Sequence, residues 1–432
     1  GAEMPMTSDQ VIWSEQNRLH IAYDTVQVAN AGGGFPAVTV TITPGANPNP
    51  SSGIRVGATL LVSDNATGLV TTKLLVTALA GNNGYTLTCH AYEGAALPAA
   101  LVTGAGSNSL FVYGSMFPKG SNGMAGALEP SLTTFKNSPI ILKDNYELSG
   151  SDAAQIGWIE VATEDGTSGY MWYLKAESET RLRFQDYLEM AMVESVPNAN
   201  AATFGANFFP TDGVGGGANN AAIYGSTGLF SAIETNGNVY SGFAGAAAPG
   251  SGALGDFDEI LKNLDKQGAI EENMLFLSRS TALDFDDMLA ATNGSYNSTQ
   301  SASYGLFEND GDMALNFGFS GFRRGSYDFY KTDWKYLNDA TTRGLDKEID
   351  GVMVPAGTTT VYDQMLGSNI RRPFLHVRYR ASETEDRRMK SWITGSVGGA
   401  FTSDLDVMRV NFLSERCLVT QAANNFVLFK GA

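Results

Sequence analysis

The chain has 432 residues, 49 of them Gly, and carries 28 basic against 45 acidic side chains, a net charge of −17. Hydrophobic residues reach 43% and charged ones only 17%, which is ample material for a core and too little basic charge for a general nucleic-acid binder. No run of about 18 apolar residues is present, so no membrane-spanning helix is expected. Residues 1–10 show neither the basic nor the apolar region of a signal peptide, and Cys89 and Cys417 alone make no disulfide framework.

Residues 1–30, with Val11-Ile12-Trp13 and the run from Leu19 to Val28, read as an extended arm. Residues 31–113 change character: only Arg55, Asp64, Lys73 and Glu93 are charged. Short β-branched runs there (38–42, 55–62, 74–77, 85–88) are separated by turn signals such as Asn83-Gly84, the pattern of a small all-β barrel or sandwich. Residues 114–150, with Pro118, Pro130 and Pro139, read as an extended loop or hairpin. Residues 169–195 are the clearest helix: Tyr173, Ala176, Thr180, Phe184, Tyr187 and Ala191 step by three or four, and Glu177→Arg181 and Glu179→Arg183 are helix-spaced ion pairs. Pro197 stops it.

Residues 198–254 are rich in Gly, Ala and Asn and read as loops, with one ordered segment near Ile223–Ile233. A capped helix follows from Asp256 to Gly268, then a buried strand at Met274–Leu277 and a short helix from Ser280. Phe317, Phe319 and Phe322, then Tyr327, Phe329 and Tyr330, flank Gly321–Gly325 as strand, turn and strand. Ile349–Val354 is a strand closed by Pro355. The last stretch is a series of strands at 374–379, 392–397, 407–413, 417–420 and 426–429. This order predicts an α+β fold with an inserted all-β domain.

Chemistry-bearing motifs are sparse. The three histidines, His20, His90 and His376, offer few general bases. Cys89-His90 reads as two strand residues on opposite faces, because a zinc site needs about four ligands. Asp284, Asp286 and Asp287 lack the spacing of a calcium loop and read as a solvated helix face. No phosphate loop, nucleophile elbow or zinc-protease motif occurs, so no catalytic residue, metal or cofactor is expected. One charge feature stands out: Arg371, Arg372, Arg378, Arg380, Arg387, Arg388 and Lys390 fall within a stretch of 20 residues, offset by Glu383, Glu385 and Asp386. They are candidates for ion pairs to a neighbouring subunit or within the chain.

Several segments carry a resemblance. Residues 137–150, N-S-P-I-I-L-K-D-N-Y-E-L-S-G, resemble a stretch of tailed-phage major capsid proteins. So do Phe322-Arg323-Arg324-Gly325-Ser326-Tyr327 leading into Tyr336-Leu337-Asn338, and Asp386-Arg387-Arg388, Trp392, residues 404–410 and Ala422-Ala423-Asn424-Asn425-Phe426. Together they are most similar to capsid proteins of crAss-like phages. The resemblance implies an HK97-like capsid fold, shared with encapsulins and the herpesvirus floor domain. It implies an N-arm at 1–30, an inserted β domain at 31–113 and an E-loop at 114–150. A peripheral domain would span 151–197 with its spine helix at 169–195, an axial domain 198–365, and peripheral return strands 366–432.

The same resemblance implies copies of the chain assembled as hexamers and pentamers in a virion shell, without catalytic activity. Portal and decoration or auxiliary proteins would be partners, and double-stranded DNA would be enclosed without sequence-specific binding or a membrane. Gly1 would follow a maturation cleavage. An encapsulin-like nanocompartment and an extracellular carbohydrate-binding module built on 31–113 are the alternatives.

Overall fold

The computed structural model describes residues 3–16, 21–31, 34–43, 52–80, 84–94, 96–102, 106–126, 132–155, 160–162, 168–199, 225–241, 253–268, 270–295, 321–363, 368–397, 399 and 401–431. Two compact units emerge, residues 14–135 and residues 1–13 with 136–432. In chain order the first strands are β1 (Glu3–Met6), β2 (Val11–Gln16), β3 (Ala22–Asn30), β4 (Ala37–Ile42), β5 (Ala58–Asp64), β6 (Thr71–Ala80), β7 (Thr86–Ala91), β8 (Asn108–Ser115), β9 (Leu132–Asn137), β10 (Ile140–Ser149), β11 (Glu160–Ala162) and β12 (Ser168–Tyr170). After them come β13 (Asn238–Ser241), β14 (Glu272–Leu277), β15 (Gly321–Arg324), β16 (Tyr327–Asp333), β17 (Ile349–Pro355), β18 (Thr358–Asp363), β19 (Ser368–Pro373), β20 (Leu375–Arg380), β21 (Lys390–Gly395), β22 (Val407–Thr420) and β23 (Val427–Lys430). The helices are α1 (Gly150–Gln155), α2 (Met171–Glu194), α3 (Leu229–Asn236), α4 (Ala253–Gln267), α5 (Arg279–Ser295) and α6 (Lys335–Asn338).

In the smaller unit, β3, β4, β7, β6, β5 and β8 close into an antiparallel barrel in that order. Alternation drives it: in β4, Val38, Val40 and Ile42 point inward and are buried, while Ala37, Thr39 and Thr41 face outward. Val26, Leu60, Val62, Leu74 and Leu87 complete an apolar core. Register shifts in the β3–β8, β5–β8 and β6–β7 pairs supply the local twist that closure needs. The barrel takes its first strand from residues 22–30, which the sequence assigns to the arm. Val26 and Val28 are both buried and β3 pairs with β4, so the barrel begins before Ala31 rather than after it.

Among the described residues, the larger unit holds a five-stranded and a six-stranded sheet besides the two-stranded pairs β11–β12 and β18–β19. The first orders β1, β20, β22 and β10, with β21 also paired to β22. Strand β22 is its backbone: it runs antiparallel to β10 from Ile140↔Arg416 to Ser149↔Val407, and to both β20 and β21. The sequence predicts two strands, 407–413 and 417–420. One continuous strand forms because the intervening Ser414-Glu415-Arg416 is buried and internally paired rather than turned out to water. The second sheet orders β13, β23, β17, β14, β16 and β15, with parallel pairs β13/β23 and β14/β16.

Alternation gives that second sheet two apolar faces. Met353, Val427 and Phe429 meet α4 and α5, where Phe257 packs edge-on against Phe285 at 5.6 Å and Phe329 at 5.0 Å. Val352 and Leu428 point the other way, toward Phe230 and Ile233 of α3 and Met192 of α2. Of the predicted solvated acidic face on α5, Asp286 is instead ion-paired to Lys331 with both side chains largely buried, Asp284 is half-buried, and the side chain of Asp287 lies outside the described residues. Phe317 and Phe319 lie outside the described residues.

Candidate assembly surface

The 24-residue helix α2 lies on the first sheet along a narrow line. Thr180, Phe184, Leu188 and Met192 are buried, each four residues after the last. Phe184 stacks on Phe412 with ring centroids 5.9 Å apart, and Leu188 joins Val410 in the same cluster. The predicted stripe included Tyr187, which is 43% exposed, as is Leu182 at 57%. Strict four-residue spacing drifts around the helix and narrows the contact, leaving the flanks open. The predicted Glu179→Arg183 pair is replaced: Arg183 donates to Asp144 of β10 at 2.9 and 3.1 Å, and Glu179 meets Lys175 instead. At the C-terminal end of α2, Glu194 accepts from Tyr336 Oη and Arg343 Nη1, both at 2.6 Å, which anchors the helix to the segment around α6.

Asn137 fastens three segments. Its amide nitrogen donates to Thr227 O at 2.9 Å and Leu418 O at 2.7 Å, and its oxygen accepts from Thr227 N at 2.8 Å and Ser226 Oγ at 3.1 Å. A buried Asn with its donors and acceptor all used is a strong orienting group.

The basic stretch divides. Arg380 Nε donates to Glu415 Oε1 at 2.7 Å, and its guanidinium also pairs with Asp9. Arg387 Nε lies 2.9 Å from Glu415 Oε2, off the line of its N–H, so that contact is ionic rather than a hydrogen bond. Glu415 is therefore held between two guanidiniums. Arg388 reaches Glu3 at 3.3 Å and sits over the Tyr379 ring, while Lys390 pairs with Glu385 at 2.8 Å and sits over Trp392. The Lys390 hydrogen bond and charge hold the Glu385 carboxyl below its ordinary range. In the single chain each of these four residues has a partner within the chain. Arg371 and Arg372 stand opposite Thr360 and Thr359 in the β18–β19 hairpin, and Arg378 opposes Cys417. A cleft of 260 Å³ lined by Thr7, Arg380, Ala381, Ser382, Glu385 and Arg387 sets two guanidiniums against one carboxylate.

Two groups escaped the sequence reading. Arg416 is 7% exposed, its charge disfavoured by burial, and donates to Ser414 Oγ at 3.0 Å and Arg388 O at 3.1 Å. Asn137 gave no signal beyond preceding Ser-Pro. His376 is buried, with Nδ1 3.1 Å from Pro373 O and no partner for Nε2; burial, then Arg378, pushes it down to about 4. Cys89 is buried and His90 exposed on opposite faces of β7. Among the described residues no group of three His, Cys, Asp or Glu could hold a metal ion.

No protein-family model matches the chain, and no curated protein matches it in sequence. Among solved structures it is similar to one from Gordonia phage Cozz, with a TM-score of 0.37 at 10% identity, over 74% of this chain and 77% of that one. A structure from Mycobacterium phage Bobi gives 0.35 at 10% identity, over 89% and 88%. The asymmetric unit of the bacteriophage PhiM1 mature capsid gives 0.36 at 9% identity, over 74% and 78%.

Proposed function

We propose that this chain is a major capsid protein of a tailed phage, a structural subunit that self-assembles into the icosahedral head enclosing double-stranded DNA. The observation that carries this reading is α2. A 24-residue helix buried along one line, with Leu182 and Tyr187 outward, is a subunit surface that neighbouring copies would complete. Element order supports it: a lead-in strand, an inserted barrel, the β9–β10 segment, a long helix, a mixed sheet and strands returning to the helix follow the order that the residue resemblance implies. The narrower kinship with crAss-like phages, hexamers and pentamers as building blocks, and portal and decoration proteins as partners belong to the same proposal, as does the division into N-arm, E-loop, peripheral and axial domains.

In this reading the exposed Arg371 and the outer side of Arg388 serve contacts between copies, while Arg380 and Arg387 hold the subunit together. A net charge of −17 keeps packaged DNA from adhering to the shell. Electron microscopy and sedimentation of the purified full chain should show closed shells or capsomer rings. A chain that stays monomeric up to high concentration overturns the reading.

A further inference from the structure

The barrel unit is electrically unlike the rest of the chain. Residues 14–135 carry four basic side chains (Arg18, Arg55, Lys73 and Lys119) against five acidic ones (Glu15, Asp24, Asp64, Glu93 and Glu129), a net charge of −1, so the other −16 lies in residues 1–13 and 136–432. On the outer face of this near-neutral barrel lies an apolar strip. Phe111 and Tyr113 of β8 flank Val112, which packs against the barrel core, and are themselves 45% and 47% exposed. Tyr92 Oη donates to Met116 Sδ at 3.5 Å, and Tyr113 lies close enough to add to the effect of burial in raising the Tyr92 hydroxyl. Phe117 lies across Gly57, where a Cβ would come within 2.4 Å of its ring. The charged residues Arg55, Lys73 and Glu93, adjoining this strip in sequence or pairing, are of both signs. A charge-free centre of Tyr, Phe and Met with a mixed polar rim has the composition of a protein contact.

We infer that this strip is a contact between copies of the chain, the barrel of one subunit docking on the barrel of another. Like charge decides the partner. Taken over whole units, two larger units set −16 against −16, a barrel on a larger unit −1 against −16, and barrel on barrel −1 against −1, so apolar burial is least opposed in the last. The inference rests on the shell reading and adds to it a specific subunit contact.

The test places p-benzoylphenylalanine at Tyr113 in the full chain, mixes isotopically light and heavy subunits, assembles them and irradiates. Adducts joining light to heavy chains should map to residues 22–115 of the second copy. Adding Phe111→Asp should lower their yield about tenfold, as loss of a central aromatic does in an interface. That ring is outside the core, so barrel folding, read by circular dichroism, should be unchanged. Particles that form with light–heavy adducts only outside the barrel, or with none, overturn this inference and leave the shell reading standing. A chain that forms no particles overturns both.

Discussion

Single residues set the subunit's response to pH and to charge reversal. His376 is buried and neutral, and its folded value of about 4 lies below the ordinary 6.5. The unfolded chain therefore binds a proton that the folded one refuses between those values. Its contribution is complete above pH 6.5 and is lost as pH falls toward 4, a cost of about 3 kcal/mol across the window. His376→Phe should flatten that part of the stability–pH profile relative to the parent chain, measured by urea unfolding at pH 4.5 and 7. Equal slopes in the two proteins would remove His376 as the cause. Glu415 poses the opposite problem, a buried carboxylate that depends on its cations. Arg387→Glu would set two carboxylates against each other and should destabilise the subunit by about 3 kcal/mol, visible in unfolding before assembly is tested. The basic stretch and its local partner Glu385 were legible in the sequence, but its distant partners were not. Asp9, Glu3 and Glu415 lie far from it along the chain, and no local spacing announces such pairs.

Elements were legible in proportion to the locality of their cause. Strand alternation at 38–42 and the helix expected over 169–195, which runs Met171–Glu194 after β12, come from periodicity and both occur, whereas the turn expected over Gly321–Gly325 is strand β15 as far as Arg324, with the turn at Gly325. Continuity across Ser414-Glu415-Arg416 and the membership of residues 22–30 in the barrel depend on distant partners, so the sequence alone misplaces both. Helix α2 shows the same division: its existence is local, while the choice of buried face is made by Phe412 and Val410 from the far end of the chain. That separation yields a paired prediction. Phe184→Ala removes a fully buried ring and should cost the subunit about 4 kcal/mol. Leu182→Asp with Tyr187→Asp alters only the open flanks and should leave the unfolding midpoint within about 0.5 kcal/mol while reducing shell yield. Normal shells from the double variant would show that the outer side of α2 faces no neighbour.

At the scale of the whole chain, the cores are separate. Among the described residues the barrel core runs from Val26 to Leu110, within 14–135, whereas Phe257, Phe285, Phe329 and Phe429 centre a different cluster in the larger unit. A closed sheet has no edge to fray and needs no neighbour to satisfy its backbone. Damage to one core should therefore stay where it is made. Leu60→Ala, at a fully buried barrel position, should cost about 3 kcal/mol. By hydrogen exchange, protection should fall in β3 through β8 and remain at the parent level in β14, β17 and β22, because opening free energies are properties of cooperative units rather than of the chain. A uniform fall across both units would mean that they unfold together and that the barrel owes its stability to the rest of the subunit. Protection lost only in the barrel would make it a module whose outer face can change, through Phe111 and Tyr113, without disturbing the fold that bears α2.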